Sequence, residues 1–325
     1  MKLVKKILNK LNGLHYPQEY LCLANESFTD PLHAYLVSAN KVIKDITNHY
    51  LFTGYSPLIF AFSSFNEIDL SQAENITISF TQAAFRPNEI LNKKDVLATL
   101  HLKKMDDKFA DHNTIYFYTG IKAEHRFANS FHQFIFQLHN NLFNKKPGNV
   151  FLAGNLYKQV QVAYAVPRKI SLITIKQGIL FNLFPTDLHG QIDEGHYLIS
   201  LRKGGKAAQQ METTNKILIS EIDSAFYKTA YSLGKNHMQE LKSKDHFPLS
   251  SESSEILELA LPQSALYYRE LELSDSFDHG IHRIFLFKIL KSRQIEDKPA
   301  TLSHIHNVYA TWRYNNGLSG NYLLR

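Results

Sequence analysis

The chain has 325 residues, 44% hydrophobic and 20% charged. That is too long for one ordinary domain, about right for two, and rich enough in apolar residues to bury real cores. Sparse Gly (14) and Pro (10) exclude collagen-like and low-complexity chains, and one cysteine, Cys22, excludes an intramolecular disulfide, CxxC redox chemistry and a Cys-only zinc site.

A reducing, cytoplasmic setting is the simplest match to that cysteine count. The net charge of +6 permits an anionic ligand. The densest basic pairs, Lys93-Lys94, Lys103-Lys104 and Lys145-Lys146, form no extended block. They read as solvated surface, and no nucleic-acid partner is expected. The 22 Phe and 17 Tyr suit β-rich cores.

In chain order, residues 1–12 place Leu3, Val4, Ile7, Leu8 and Leu11 on one helical stripe and Lys2, Lys5, Lys6 and Lys10 on the other face. A continuous apolar core and a small-residue cleavage site are missing there, so a short helix docking on its own domain is expected rather than a signal peptide. The longest apolar runs, such as 58–62, are strand-sized, so no membrane span is expected. Residues 32–46 and 130–143 read as helices, and 56–63, 75–81 and 114–119 as strands. Ile76, Ile78 and Phe80 alternate with Thr77, Ser79 and Thr81 in the manner of a half-buried strand. In 130–143 the residues Phe131, Phe134, Ile135, Leu138 and Leu142 form an apolar stripe expected to be core, with Ser130 as its N-cap. The polar Pro-Gly link at 144–149 then suggests a boundary between an N-terminal α+β domain, 1–148, and a second domain, 149–325.

The second half opens with a short helix or turn at 156–162. Strands follow at 170–175, 178–183, 197–201 and 216–222, with helices at 206–212 and 224–233 and further strands near 266–273 and 281–290. This is mainly β with α (α+β). Many short strands with few helices argue for a closed β-barrel with helical additions rather than a parallel βαβ sheet. No short-period repeat stands out.

Nucleophile elbow, Walker loop, GxGxxG and HExxH signatures are all missing from the sequence. His279 with His282, and His304 with His306, have spacings a metal accepts, but such pairs are expected to be surface or core histidines, and no metal site is expected.

The informative pattern is spread along the second half. Val166-Pro167-Arg168 leads into an apolar strand ending near Thr174. Next come Gly178 and Asn182-Leu183-Phe184-Pro185-Thr186-Asp187, then Tyr197-Leu198-Ile199-Ser200-Leu201-Arg202 and a Gly204-Gly205-Lys206 turn, and later Gly280-Ile281-His282. This run, from about residue 155 to the end, resembles the flavin reductase-like family, the FMN-binding split barrel. The resemblance implies FMN as cofactor, with FAD as the alternative, and NAD(P)H as co-substrate. It implies binding residues at Asn182, Leu183, Phe184, Pro185, Thr186, Asp187, Ser200, Arg202, Lys206 and His282, and a homodimer with flavin at the subunit interface. The chain departs from the family pattern at Asp187, at Ala207 and Gln210 in the helix after Lys206, and at Ile281. These departures bear on how tightly FMN is held more than on the fold.

The residue chemistry agrees with that implication. Ser200, Arg202 and Lys206 gather hydroxyl and cationic donors near a turn entering a helix, as a phosphate requires. The 182–186 stretch is expected to be irregular and to offer backbone amides. The bound flavin would carry the chemistry, leaving no protein nucleophile to find, with His282 as the one candidate for a catalytic role. The rival readings are a ligand-binding protein without turnover and a basic scaffold for an acidic partner. Residues 1–148 resemble no family, and their strands allow a degenerate second barrel.

Overall fold

The computed structural model describes residues 13–25, 27–64, 69–143, 150–296, 300–318 and 320–323. The chain is mostly β with several helices and forms two compact units, one of 1–21, 27–167 and 305–320, the other of 22–26, 168–304 and 321–325. The division thus falls at Pro167/Arg168, with two short N- and C-terminal pieces exchanged. The Pro-Gly link at 144–149 and the amphipathic stretch 1–12 lie outside the described residues.

The first unit contains β1 (His33–Ser38), β2 (Lys41–Asp45), β3 (Leu51–Tyr55), β4 (Leu58–Ser63), β5 (Asn75–Thr81), β6 (Val96–Ala110), β7 (Asn113–His125), α1 (Ser130–Phe143) and α2 (Leu156–Ala163). Its antiparallel sheet has the order β2-β1-β5-β6-β7-β4-β3. Residues 32–46, expected as a helix, are the β1–β2 hairpin. Ala39 and Asn40 both take positive φ (48° and 63°), the turn chemistry that suits a two-residue hairpin loop. Apolar spacing alone does not separate such a short hairpin from a helix.

Helix α1 is present, but its face is not the expected one. Phe136 and Asn140 are buried, and the Asn140 side chain donates to Leu152 O at 2.8 Å. Phe131, Phe134, Leu138 and Leu142 face outward. The N-cap is Asn129, whose Oδ1 accepts from His132 N at 2.9 Å, rather than Ser130.

The second unit contains β8 (Ser171–Gln177), β9 (Leu180–Thr186), β10 (His189–Gln191), β11 (His196–Arg202), α3 (Lys206–Thr214), β12 (Lys216–Ile222), α4 (Tyr227–Leu233), β13 (Ala265–His279) and β14 (His282–Gln294). Helix α5 (Asn307–Asn315) belongs with the first unit. The order here is β10-β11-β14-β13-β12-β8-β9, with the two-residue strand Lys242–Ser243 added beside β9. Ile173, Phe184, Ile199, Met211, Ile219, Leu271 and Phe285 all enter one buried cluster. Strands far apart in the sheet order, β9 and β11 among them, therefore meet in one core, so the sheet is curled and α3 plugs it.

Reversed, this strand order is that of the first unit, with β1 through β7 matching β8 through β14 in sequence. The register agrees residue by residue. In β6–β7 the pairing shifts at His101/Leu102 and Lys104/Asp106, and in β13–β14 at Glu270/Leu271 and Leu273/Asp275. Every position in the second hairpin lies 169 residues after its counterpart, down to the left-handed turn residue, Asp111 (φ 50°) against Gly280 (φ 55°). Both partner strands also break register at matching points, Phe80/Thr81 and Glu221/Ile222.

Candidate functional site at one end of the second unit

β11 and β14 are hydrogen-bonded neighbours, and their register sets Arg202 opposite His282 and Ser200 opposite Ile284. Ser200 and His282 are both buried, and Ser200 Oγ lies 3.2 Å from His282 Nδ1. Burial pushes the His282 imidazole down to about 4; the Arg202 guanidinium adds to that shift and the Asp187 carboxylate opposes it.

The same two charges reach a second imidazole. His237 is also lowered, first by burial and further by Arg202, while Asp187 and a bond to Pro185 O oppose the shift. That bond is 2.7 Å long and runs from His237 Nε2, so Nε2 carries the proton. His237 also tilts against the Phe184 ring, with centroids 4.7 Å apart. At neutral pH this end of the unit therefore holds two neutral imidazoles between one carboxylate and one guanidinium.

The carboxylate is itself anchored. Asp187 Oδ2 accepts from His304 Nδ1 at 2.8 Å. His304 Nε2 in turn makes a hydrogen bond with the Tyr231 hydroxyl, and the Tyr231 oxygen accepts from Cys22 Sγ at 3.0 Å. Thiol, phenol, imidazole and carboxylate thus form one hydrogen-bonded chain. Beside this chain lies a cavity of about 80 Å³ lined by Ile170, Pro185, Thr186, Asp187, Ala230, Tyr231 and His304.

Among the sequence-predicted residues, Pro185, Thr186, Asp187, Ser200, Arg202 and His282 come together here. Asn182, Leu183 and Phe184 do not face the cavity. The 182–186 stretch is regular strand, paired with β8 along its length, because side chains on both of its faces are buried. Asn182 Nδ2 donates to Gln210 Oε1 at 2.7 Å and to Asn236 O at 3.1 Å, tying β9 to α3 and to the 234–238 turn. Leu183 and Phe184 sit in separate core clusters. The carbonyls of Leu183 and Pro185, on the strand edge, accept from Asn236 Nδ2 and His237 Nε2. Pro185 fits there because an outward edge position needs no ladder N–H. Lys206 opens α3 and pairs with Glu240 at 2.7 Å.

Sequence reasoning missed His237, Tyr231 and His304 as members of this group. The 304/306 spacing drew attention as a metal pair, but the partner of His304 is a carboxylate 117 residues away. Local pattern carries no signal for such a pairing.

These residues fit the polar part of a flavin nucleotide in donor chemistry. Arg202 supplies a cation at the strand end, and neutral imidazoles supply hydrogen-bonding edges.

No family model matches the chain, and no curated protein matches it in sequence. Among solved structures it is similar to the NADH:FAD oxidoreductase SgcE6 of Streptomyces globisporus, at 13% identity and a TM-score of 0.40, over 50% of this chain and 96% of that one. It is also similar to BorF, the flavin reductase component of a bacterial two-component tryptophan halogenase, at 11% identity and a TM-score of 0.40, over 47% and 94%. A third is an FMN-binding protein from Thermus thermophilus, at 13% identity and a TM-score of 0.37, over 43% and 87%. No helix among the described residues is long and apolar enough to cross a membrane.

Proposed function

We propose that the second unit is a split barrel that binds a flavin nucleotide, FMN in the first instance, and that the protein is a flavin reductase-type oxidoreductase using NAD(P)H. One observation carries this reading. Thr186-Asp187, Ser200 to Arg202 and His282, the segments that carry the flavin reductase resemblance, are scattered over about a hundred residues of chain. They meet at one end of one sheet, where Asp187 and Arg202 act on the same imidazole. A flavin bound there would supply hydride transfer. Arg202 would hold its phosphate, and the imidazoles of His237 and His282 would offer hydrogen-bonding edges to its polar atoms.

The pairing of Lys206 with Glu240, and of Asn182 with Gln210, removes two expected donors. It favours a loosely held flavin that exchanges with solvent over a resident prosthetic group. The deciding experiment is the visible spectrum of the purified protein with added FMN, before and after NADH. Flavin bands that bleach support the reductase. Bands that persist leave a flavin-binding protein without turnover. No uptake of flavin rejects both.

A further inference from the structure

The first unit has a polar cleft of its own. It measures about 630 Å³ and opens between the end of β7, the first turn of α1 and the start of α2. Strand β4 pairs with β7 only as far as Thr119, so beyond that residue one edge of β7 has no strand beside it. Asn155, at the head of α2, covers part of this edge. Its Oδ1 accepts from Ala123 N at 2.6 Å, and its Nδ2 donates to Ala123 O at 2.9 Å. From α1, Gln133 Nε2 donates to the carbonyls of His125 and Ala128, both at 2.8 Å. Two helices and a strand thus fix the walls, and the volume is that of a small-metabolite site.

The cleft is cationic. Lys122, Arg126 and Lys158 line it against one carboxylate, Glu124, which Lys122 meets at 2.6 Å. Arg126 is anchored through Nε and Nη2 to the carbonyls of Val96 and Lys94, and its Nη1 has no protein partner among the described residues. Lys158 has no ion-pair partner among them either. It stands close enough to help lower both Glu124, after the bond to Lys122, and His125, after burial. The start of α1 adds donors. Asn129 Oδ1 caps His132 N, while the amides of Ser130 and Phe131 find no acceptor among the described residues. Helix-start amides beside an arginine and a lysine suit a phosphate.

An independent feature points to the rest of the ligand. His125 lines the cleft and is only 5% exposed. Its Nε2 lies 2.9 Å from Gln161 Oε1, while Nδ1 has no hydrogen-bond partner. A buried ring nitrogen left unpaired costs free energy. A hydroxyl, which both donates and accepts, satisfies it in either tautomer. No other ring lines the cleft, so nothing there stacks a base or a flavin. We propose that this cleft binds a small phosphate monoester that also carries hydroxyls, a sugar phosphate. The phosphate takes Arg126, Lys158 and the start of α1, and the sugar hydroxyls take His125 and Glu124. The site lies wholly within the first unit, and the proposal is independent of the flavin reading.

The test is calorimetric titration of the full chain with ribose 5-phosphate, with ribose and with inorganic phosphate. Ribose 5-phosphate should bind at least roughly tenfold tighter than inorganic phosphate, and ribose should give no heat. Lys158→Gln should weaken ribose 5-phosphate binding roughly tenfold or more. Its thermal midpoint should be unchanged, because the ammonium holds no ion pair in the protein. If that variant fails to fold, Lys122→Gln tests the same charge at an exposed position and should weaken binding several-fold. No binding of any of these probes overturns the proposal, as does equal binding by the folded variants. Equal affinity for ribose 5-phosphate and inorganic phosphate also overturns it and leaves a plain anion site. Tighter binding of a 5′-phosphorylated oligonucleotide than of ribose 5-phosphate overturns it too and makes the cleft a seat for a nucleic-acid end.

Discussion

The two units share a strand order and a register but not a polar end. Ser63 and Ser200 are counterparts, each buried and opposite an isoleucine, Ile115 and Ile284. Beyond that the chemistry parts. The position of His282 is Asn113 in the first unit, and that of Phe184 is Lys44. Core positions track each other instead, with Leu102 against Leu271, Tyr118 against Phe287 and Tyr116 against Phe285, all buried. A barrel asks only that alternate positions be apolar and that bulges fall where the sheet must bend. A binding site asks for particular side chains, which we propose only the second unit supplies. We read the first unit as a second barrel that keeps the scaffold without the site.

The largest expected effect comes from cutting the chain where the sequence suggests. A fragment of 149–325 loses Cys22 and Leu23, which pair with Leu323 and Tyr322 in the second unit. It also carries α5, whose Val308, Tyr309 and Ala310 are buried within the first unit. It should bind ANS and melt without a cooperative transition. A sharp transition would show that the second unit folds without residues 22–26.

Within the intact chain, Phe285→Ala should cost about 3–5 kcal/mol, as for other buried aromatics. Tyr116→Ala, at the matching and slightly more exposed position, should cost less. Calorimetry that resolves two transitions should show each variant lowering only its own. A single transition lowered equally by both would mean that the units unfold together.

Acid should separate the units next. The folded pKa of His282, about 4, lies below its ordinary 6.5, so the unfolded chain takes up the proton first. Stability is then full above about pH 6.5 and falls as the pH drops toward 4, by on the order of 2–3 kcal/mol from this residue. His282→Asn, which installs the residue of the first unit, should flatten that slope in urea titrations at pH 7 and pH 4.5. An unchanged slope would assign the acid sensitivity to the other buried histidines, His125 and His189, lowered to about 4 and about 3 by burial.

Arg202→Ala should weaken FMN binding by about 1.5–3 kcal/mol, the worth of a charge-assisted bond, and leave riboflavin nearly untouched. Ser63→Ala in the first unit should alter neither affinity. Calorimetric titration should also give one FMN per chain. Two equivalent sites would break the comparison drawn above.

The smallest effect is expected at Asp187. Its carboxylate is committed to His304, so Asp187→Ser should shift a bound flavin's midpoint potential by less than about 30 mV, or about 1.4 kcal/mol for a two-electron couple. A larger rise would place the carboxylate against the flavin ring.

Much of this was written locally. Strands 75–81 and 216–222 follow from β-branched alternation with apolar residues, and both are found with those bounds. The helices expected at 130–143 and 206–212, from apolar periodicity and a preceding Gly-Gly turn, are found at Ser130–Phe143 and Lys206–Thr214. The 32–46 hairpin reads as a helix in the sequence because strands of 6 and 5 residues around a two-residue turn mimic a helical stripe. The shared strand order leaves no repeat in the sequence because matching buried positions share apolarity and not identity. Composition, alternation and turn residues thus determined a mainly β protein with helical additions, along with the segments able to bear a polar site.

Tertiary structure decided what each polar residue does. It turned Asn182 into a core link and Asp187 into a partner of His304, and it drew His237 and Tyr231 into the group. It also rotated α1 so that Phe136 and Asn140, not Phe131 and Phe134, face inward. Those outcomes depend on pairings across tens to hundreds of residues. A buried hydrogen bond or a neutralised imidazole is set by which groups the fold brings within about 3 Å, and local sequence holds no record of that distance.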